Sequence, residues 1–123
     1  MPVTFETTDI KDLTRIVLAG KVTLPELTKA LNAYAQSGPT RLEIYDISRF
    51  DEGRFSTAEL NRLADYLKAA PASRPAGSKT AVVAAQTVDI GITRMLSILS
   101  EGSVAFELEA FRSEEEALDW LLK

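Results

Sequence analysis

The sequence predicts one α/β domain over residues 1–123, with element order ββαβαβαβα and a mixed, mostly parallel sheet with helices packed around it. Three observations support this. Segments rich in β-branched residues alternate with segments whose apolar residues recur at helical spacing. Ser/Thr-x-x-Glu capping signals at Thr23, Ser56 and Ser113 mark three helix starts. Residues 81–85 are apolar on both strand faces, which is typical of a central parallel strand.

The first half of the chain begins with a predicted antiparallel hairpin, with strands over residues 3–8 and 13–19 joined by a short polar connection. A helix follows from Thr23. Its apolar stripe consists of Leu24, Leu27, Ala30, Leu31 and Tyr34. A third strand is predicted over residues 41–46. It leads into a polar loop that extends from Asp46 to Phe55.

The second half continues the alternation of helices and strands. The predicted segments are a helix from Ser56 to near Ala70, a loop over 71–78, a strand over 80–85, a helix over 88–99, a half-exposed strand over 104–111 and a last helix from Ser113. Gly91 lies inside the pattern of the third helix, where it costs about 1 kcal/mol relative to Ala and indicates close packing. Trp120 is predicted to seal the core beneath the last helix.

The composition excludes several classes of enzyme site, because the chain has no cysteine and no histidine. It can form no disulfide, no Cys/His zinc site and no Ser-His-Asp or Cys-His relay. The formal net charge of -4 comes without a basic stripe and argues against nucleic acid as a partner. No apolar run reaches membrane-spanning length, and the first residues lack the pattern of a signal peptide. We therefore expect a cytoplasmic protein.

Candidate site residues lie mainly where predicted strands end, the edge at which open α/β sheets usually bind ligands. The candidate ligand or partner contacts are Asp46, Ser48, Arg49, Asp89 and Arg94, and the candidate phosphate acceptors are Ser56 and Thr57. Each has a structural alternative. Asp46 can cap a turn, Ser56 and Thr57 can cap a helix, and Arg94 can lie exposed on a helix. No catalytic residue, metal ligand or cofactor is predicted.

Four stretches resemble the SpoIIAA-like proteins, relatives of the STAS domains of anti-sigma-factor antagonists. They are Gly20–Thr23 before the first helix, Leu42–Ser48 with its Asp-aliphatic-Ser ending, Lys79–Ala84 with Ile90–Met95, and Glu109–Leu121. The resemblance implies a STAS-like fold and regulation by contact with a protein partner. It also implies a phosphorylated Ser or Thr at the helix after the Asp-aliphatic-Ser strand, here Ser56 or Thr57. The Asp-Ser pair usual at that place is absent.

Three functional hypotheses follow. The first is a non-enzymatic regulatory or protein-interaction domain. The second is a carrier of a lipid or small apolar ligand, which rests on kinship with CRAL-TRIO domains. The third is an enzyme using Asp46 or Lys21, which no spacing specifically supports. A homodimer is compatible with all three, through Gly91 and Arg94 on one helix or through the first hairpin as a sheet edge.

Overall fold

The computed structural model of the chain describes residues 3–37, 40–50, 56–69, 77–84, 94 and 106–123. The described strands form one sheet in the order β1-β2-β3-β4-β5. They are β1 (Val3–Thr7), β2 (Leu13–Gly20), β3 (Leu42–Phe50), β4 (Ser78–Val83) and β5 (Phe106–Phe111). The described helices are α1 (Leu24–Ser37), α2 (Thr57–Ala69) and α3 (Glu114–Leu121). The predicted fold class is confirmed.

Strand directions match the sequence pattern. β1 and β2 pair antiparallel, whereas β2, β3, β4 and β5 are parallel to one another. The hairpin turn is held by Thr8, whose Oγ1 accepts a hydrogen bond from Ile10 N at 3.1 Å. Asp12 completes the turn with a positive φ of 65°, a region that Asp tolerates better than most residues. The predicted helix over 88–99 lies outside the described residues, except for Arg94, which is helical.

The sheet has a core on each face, because successive strand residues point to opposite sides. Ile16, Leu18 and Val3 pack with residues at the start of α1 and Leu63 of α2. Leu42, Ile44, Ala81 and Val83 pack on the opposite face against Ala117 and Leu121 of α3. Trp120 closes the edge of this second core as predicted, packed against Phe111 with ring centroids 5.6 Å apart. Apolar side chains therefore pack on both faces of the central strands.

All three predicted capping signals form. Glu26 N donates to Thr23 Oγ1 at 3.3 Å, and Thr23 N donates back to Glu26 Oε1 at 3.0 Å. The start of α2 repeats this exchange between Ser56 and Glu59, at 3.2 Å and 3.0 Å. At α3, Ser113 has extended backbone angles and its Oγ accepts from Glu116 N at 3.2 Å. Each described helix is thus the next described element after a strand of the parallel part of the sheet.

The predicted loop from Asp46 to Phe55 is wrong in its first part, because β3 continues to Phe50. The pairing of β3 with β2 shifts by one residue between Val17↔Asp46 and Ala19↔Arg49. The extra residue makes a β-bulge on β3, which bends a strand while letting the pairing continue. A polar composition therefore marks an irregular strand here rather than its end.

Candidate functional site

A group of charged side chains gathers around Arg15 of β2. We call Glu6, Arg15, Asp46, Ser48 and Glu114 the Arg15 cluster. The guanidinium donates from Nη2 to Asp46 Oδ2 at 3.1 Å and pairs through Nη1 with Glu114 Oε1 at 2.5 Å. Its Nε is buried and lies 3.6 Å from Glu6 Oε1, too far for a hydrogen bond. One cation thus joins β1, β3 and α3 to β2.

Asp46 is the buried member of the cluster. Its side chain is 9% exposed, whereas that of Arg15 is 31% exposed. Asp46 Oδ1 accepts hydrogen bonds from Ser48 N at 3.0 Å and from Ser48 Oγ at 2.5 Å. These two bonds span the bulge in β3, so Asp46 both anchors Arg15 and caps the irregular backbone, as the turn-capping alternative predicted.

The charge of Asp46 is stabilised by its neighbours. Burial by itself raises the pKa of Asp46, but the hydrogen bonds from Ser48 and from the Arg15 guanidinium outweigh this effect. The pKa of the Asp46 carboxyl is therefore lowered from its ordinary value of 3.8. A carboxylate held ionised in this way serves as a fixed charge and acceptor rather than as a base near neutral pH.

The bulge also decides where Arg49 lies. Arg49 pairs with Ala19, as Asp46 pairs with Val17, so the two β3 residues share a sheet face despite being three apart. Regular alternation would place them on opposite faces. Arg49 and Ser48 are exposed. The irregularity therefore places an exposed cation beside the Arg15 cluster at the carboxyl edge of the sheet.

A second polar group lies on the opposite face and is buried. Glu43 and Thr80 are each 3% exposed, and Thr80 Oγ1 donates to Glu43 Oε1 at 3.1 Å. Thr14 pairs with Glu43 across β2 and β3, and its Oγ1 lies 2.9 Å from Thr40 Oγ1, within hydrogen-bond distance. Burial and the nearby Glu43 charge raise the pKa of Tyr34, which bonds to Thr40. Hydrogen bonds among these residues therefore connect the sheet to α1 through Tyr34.

The structure brings together only part of the predicted site. Asp46 and Ser48 are in direct contact, and Arg49 is next to them in the chain. Ser56 is exposed at the start of α2, which Thr57 begins. Arg94 is exposed, as its structural alternative predicted, and Asp89 lies outside the described residues. In the part of the chain that is described, no three carboxylates are placed to hold a metal ion.

The centre of the cluster is not among the residues that the sequence predicts for the site. The sequence places Arg15 in a strand without a role, and it places Glu114 only in the first turn of a helix. The available signal is a single arginine directly before the apolar run Ile16-Val17-Leu18, since a charge in a strand of a covered sheet needs a partner. Glu6 carries no comparable signal, because half of its side chain is exposed.

No family model matches the sequence, and neither does any curated protein. Two solved structures are similar over nearly the whole chain. One is an uncharacterized protein of the DUF3478 family with a SpoIIAA-like fold, from Shewanella loihica, with a TM-score of 0.60 and 19% identity over 97% of this chain and 91% of that one. The other is an anti-sigma factor antagonist from Mycobacterium paratuberculosis, with a TM-score of 0.56 and 19% identity over 98% and 95%. This chain has the SpoIIAA-like fold.

The SpoIIAA-like resemblance drawn from sequence motifs is thus confirmed for the fold. The described parts of those motifs occupy the connection from β2 to α1, β3, β4, and the β5–α3 unit. Within the described residues, no helix is long and apolar enough to cross a membrane. At 19% identity the likeness concerns the architecture, so the roles of individual residues have to be argued from this chain.

Proposed function

We propose that the chain is a non-enzymatic regulatory domain that acts by contacting a protein partner in the cytoplasm. The observation that carries this proposal is its similarity to an anti-sigma factor antagonist along 98% of its length. The absence of histidine and cysteine from the sequence is consistent with a role by contact. The lipid-carrier alternative is not supported by either of these two structures.

The proposed contact surface is the carboxyl edge of the sheet around the Arg15 cluster. Asp46 and Ser48 fix the shape of the bulge, and the exposed Arg49 presents its charge there. Asp89 and Arg94 remain proposed contacts on the segment that follows β4. Charged side chains at the rim of an interface set the association rate and the choice of partner more than the affinity.

We also propose that Ser56 or Thr57 accepts a phosphoryl group that switches this surface. Ser56 is exposed, and its Oγ accepts from Glu59 N at the start of α2. A phosphate there would add about -1.5 to -2 charges and would repel the Glu59 carboxylate that bonds Ser56 N. Phosphorylation would therefore change both the charge and the Ser56–Glu59 capping bonds at the start of α2, which follows β3.

Affinity purification from the native host tests the contact surface. The wild type is compared with Arg49→Glu and with the matched control Lys29→Glu, which makes the same charge change at an exposed position of α1. We expect that partner proteins bound by the wild type are also bound by Lys29→Glu and are lost from Arg49→Glu. Partners bound equally by all three variants would contradict the proposed surface.

Intact-mass analysis of the chain purified from the native host tests the switch. A species heavier by one phosphoryl group in the wild type, lost in the combined Ser56→Ala and Thr57→Ala variant, is the expected result. A chain that is never modified under growth, starvation or stress conditions would rule the switch out, while leaving the contact surface to be judged by the purification.

Self-association is part of the proposal, with a second copy of the chain as one partner. The specific observation in its favour is an exposed strand at one edge of the sheet.

A further inference from the structure

The outer side of β1 forms an edge of the described sheet. β1 pairs with β2 in an unbroken register and has no other strand neighbour among the described residues. Residues 4–7 are exposed. Natural edge strands are commonly protected from further pairing by charged side chains, a proline or a bulge, and β1 has no proline, no bulge and a single charged residue, Glu6. Its outer side is therefore competent to pair with another strand.

Phe5 gives this edge an apolar centre. Together with Leu122, it is one of two large hydrophobic residues that are exposed in the described part of the chain, at 38%. Its ring stacks on Tyr34 of α1, with centroids 5.2 Å apart and planes within 10°. The stacked ring is held in a fixed orientation, so ordering it in an interface costs little side-chain entropy.

Antiparallel pairing of two identical strands about a two-fold axis allows few registers. Paired side chains share a sheet face, so the axis must pass between one residue of β1 and the same residue of the second copy. An axis at Glu6 would set two like charges opposite each other, which is destabilising. An axis at Thr4 would pair only Val3, Thr4 and Phe5, because β1 begins at Val3.

The remaining register centres on Phe5. It sets Phe5 opposite its copy, pairs Thr4 with Glu6 of the second strand, and uses all five residues of β1. No like charges meet, and the two aromatic rings come together on the face where Tyr34 supports each of them. We infer that the outer edge of β1 pairs antiparallel with β1 of a second copy of this chain in the Phe5-centred register. This inference rests on the proposed self-association and names its surface.

Cysteine cross-linking tests the register, because the natural chain has no cysteine. Thr4→Cys and Glu6→Cys are made as separate full-length variants, then oxidised alone and as an equal mixture. Directly opposed residues lie about 4.5–5.5 Å apart between Cα atoms, within disulfide range. Diagonal neighbours lie roughly 7–8 Å apart, beyond it. We expect disulfide-linked dimers from the mixture and from neither variant alone.

Sedimentation equilibrium tests the surface independently of the register. A short strand junction belongs to the weak class of interfaces, so the wild type is measured up to about 1 mM. We expect a rise towards twice the monomer mass of 13.5 kDa, lost in Phe5→Lys and retained in Leu122→Lys, the matched change at the other exposed hydrophobic residue. Circular dichroism verifies that both variants are folded.

The possible outcomes separate the two claims. A wild type that stays monomeric throughout would overturn self-association itself. A dimer that persists in Phe5→Lys would overturn the β1 surface and leave self-association in place. Cross-linking of Thr4→Cys or Glu6→Cys alone, at the level of the mixture, would overturn the register. The regulatory role is judged separately by the Arg49 purification.

Discussion

Replacing Asp46 by Asn removes one charge from the Arg15 cluster while keeping the shape of the side chain. The acceptor at Oδ1 for the two Ser48 donors survives. The acceptor at Oδ2, 3.1 Å from Arg15 Nη2, is lost, because the amide group that replaces it donates towards another donor. A charge-assisted hydrogen bond contributes about 1.5–3 kcal/mol. We expect Asp46→Asn to lower the free energy of unfolding by about 2 kcal/mol, which corresponds to roughly 6–10 °C in Tm.

Urea unfolding followed by circular dichroism measures this loss. Asp119→Asn is the matched control, because Asp119 is exposed on α3 and undergoes the same chemical change. Its free energy of unfolding should stay within about 0.5 kcal/mol of the wild type. A double-mutant cycle with Arg15→Gln should show an interaction energy, since the two side chains share a bond.

The stabilisation that Asp46 contributes depends on pH. Burial opposes the charge of Asp46, but the Ser48 and Arg15 hydrogen bonds prevail, so the folded-state pKa lies below 3.8. The stabilisation is therefore complete above the unfolded-state pKa and is lost as the pH falls through the folded-state pKa. The gap between wild type and Asp46→Asn should be full near neutral pH and shrink below about pH 4. Equal stabilities at neutral pH, or a gap of unchanged size in strong acid, would refute the reasoning.

Two further substitutions test the buried polar group and a helix cap. Thr80→Val removes the donor to Glu43 Oε1 and should cost about 1–3 kcal/mol in urea unfolding, whereas Thr80→Ser keeps the hydroxyl and should recover most of that loss. If both variants unfold alike, the hydroxyl is not the cause. Ser113→Ala removes the acceptor for Glu116 N and should cost about 1 kcal/mol in thermal unfolding, with Ser113→Asp as the cap-retaining control. Equal melting of Ser113→Ala and wild type would contradict the role of the cap.

The elements that follow local rules could be predicted from the sequence. The capping signals at Thr23, Ser56 and Ser113 depend on residues three apart, and all three form. The hairpin and the buried parallel strand β4 follow from composition and alternation, and both are found. These features are set by nearest neighbours along the chain, so a single sequence contains the information.

The end of β3 could not be predicted in the same way. Asp46 and Ser48 are common turn residues, and their polarity indicated a loop. In the folded chain they bond to each other across a bulge while β2 continues to pair alongside. The Arg15 cluster has the same origin, because it joins Arg15 to Glu114, almost a hundred positions away. Contacts at such separation depend on the tertiary fold and leave little trace in local pattern.

The way the described helices begin has a consequence for ligands at the carboxyl edge. Amide groups in the first turn of a helix often receive phosphate in α/β proteins. Here α1 and α2 each start with a Glu side chain folded back onto the backbone, at Thr23 and at Ser56. An incoming anion would meet a carboxylate of its own sign beside those amides. The binding of free phosphate-bearing metabolites is thus disfavoured at both places. An acidic group is accommodated there most readily when it is covalently attached to the chain itself.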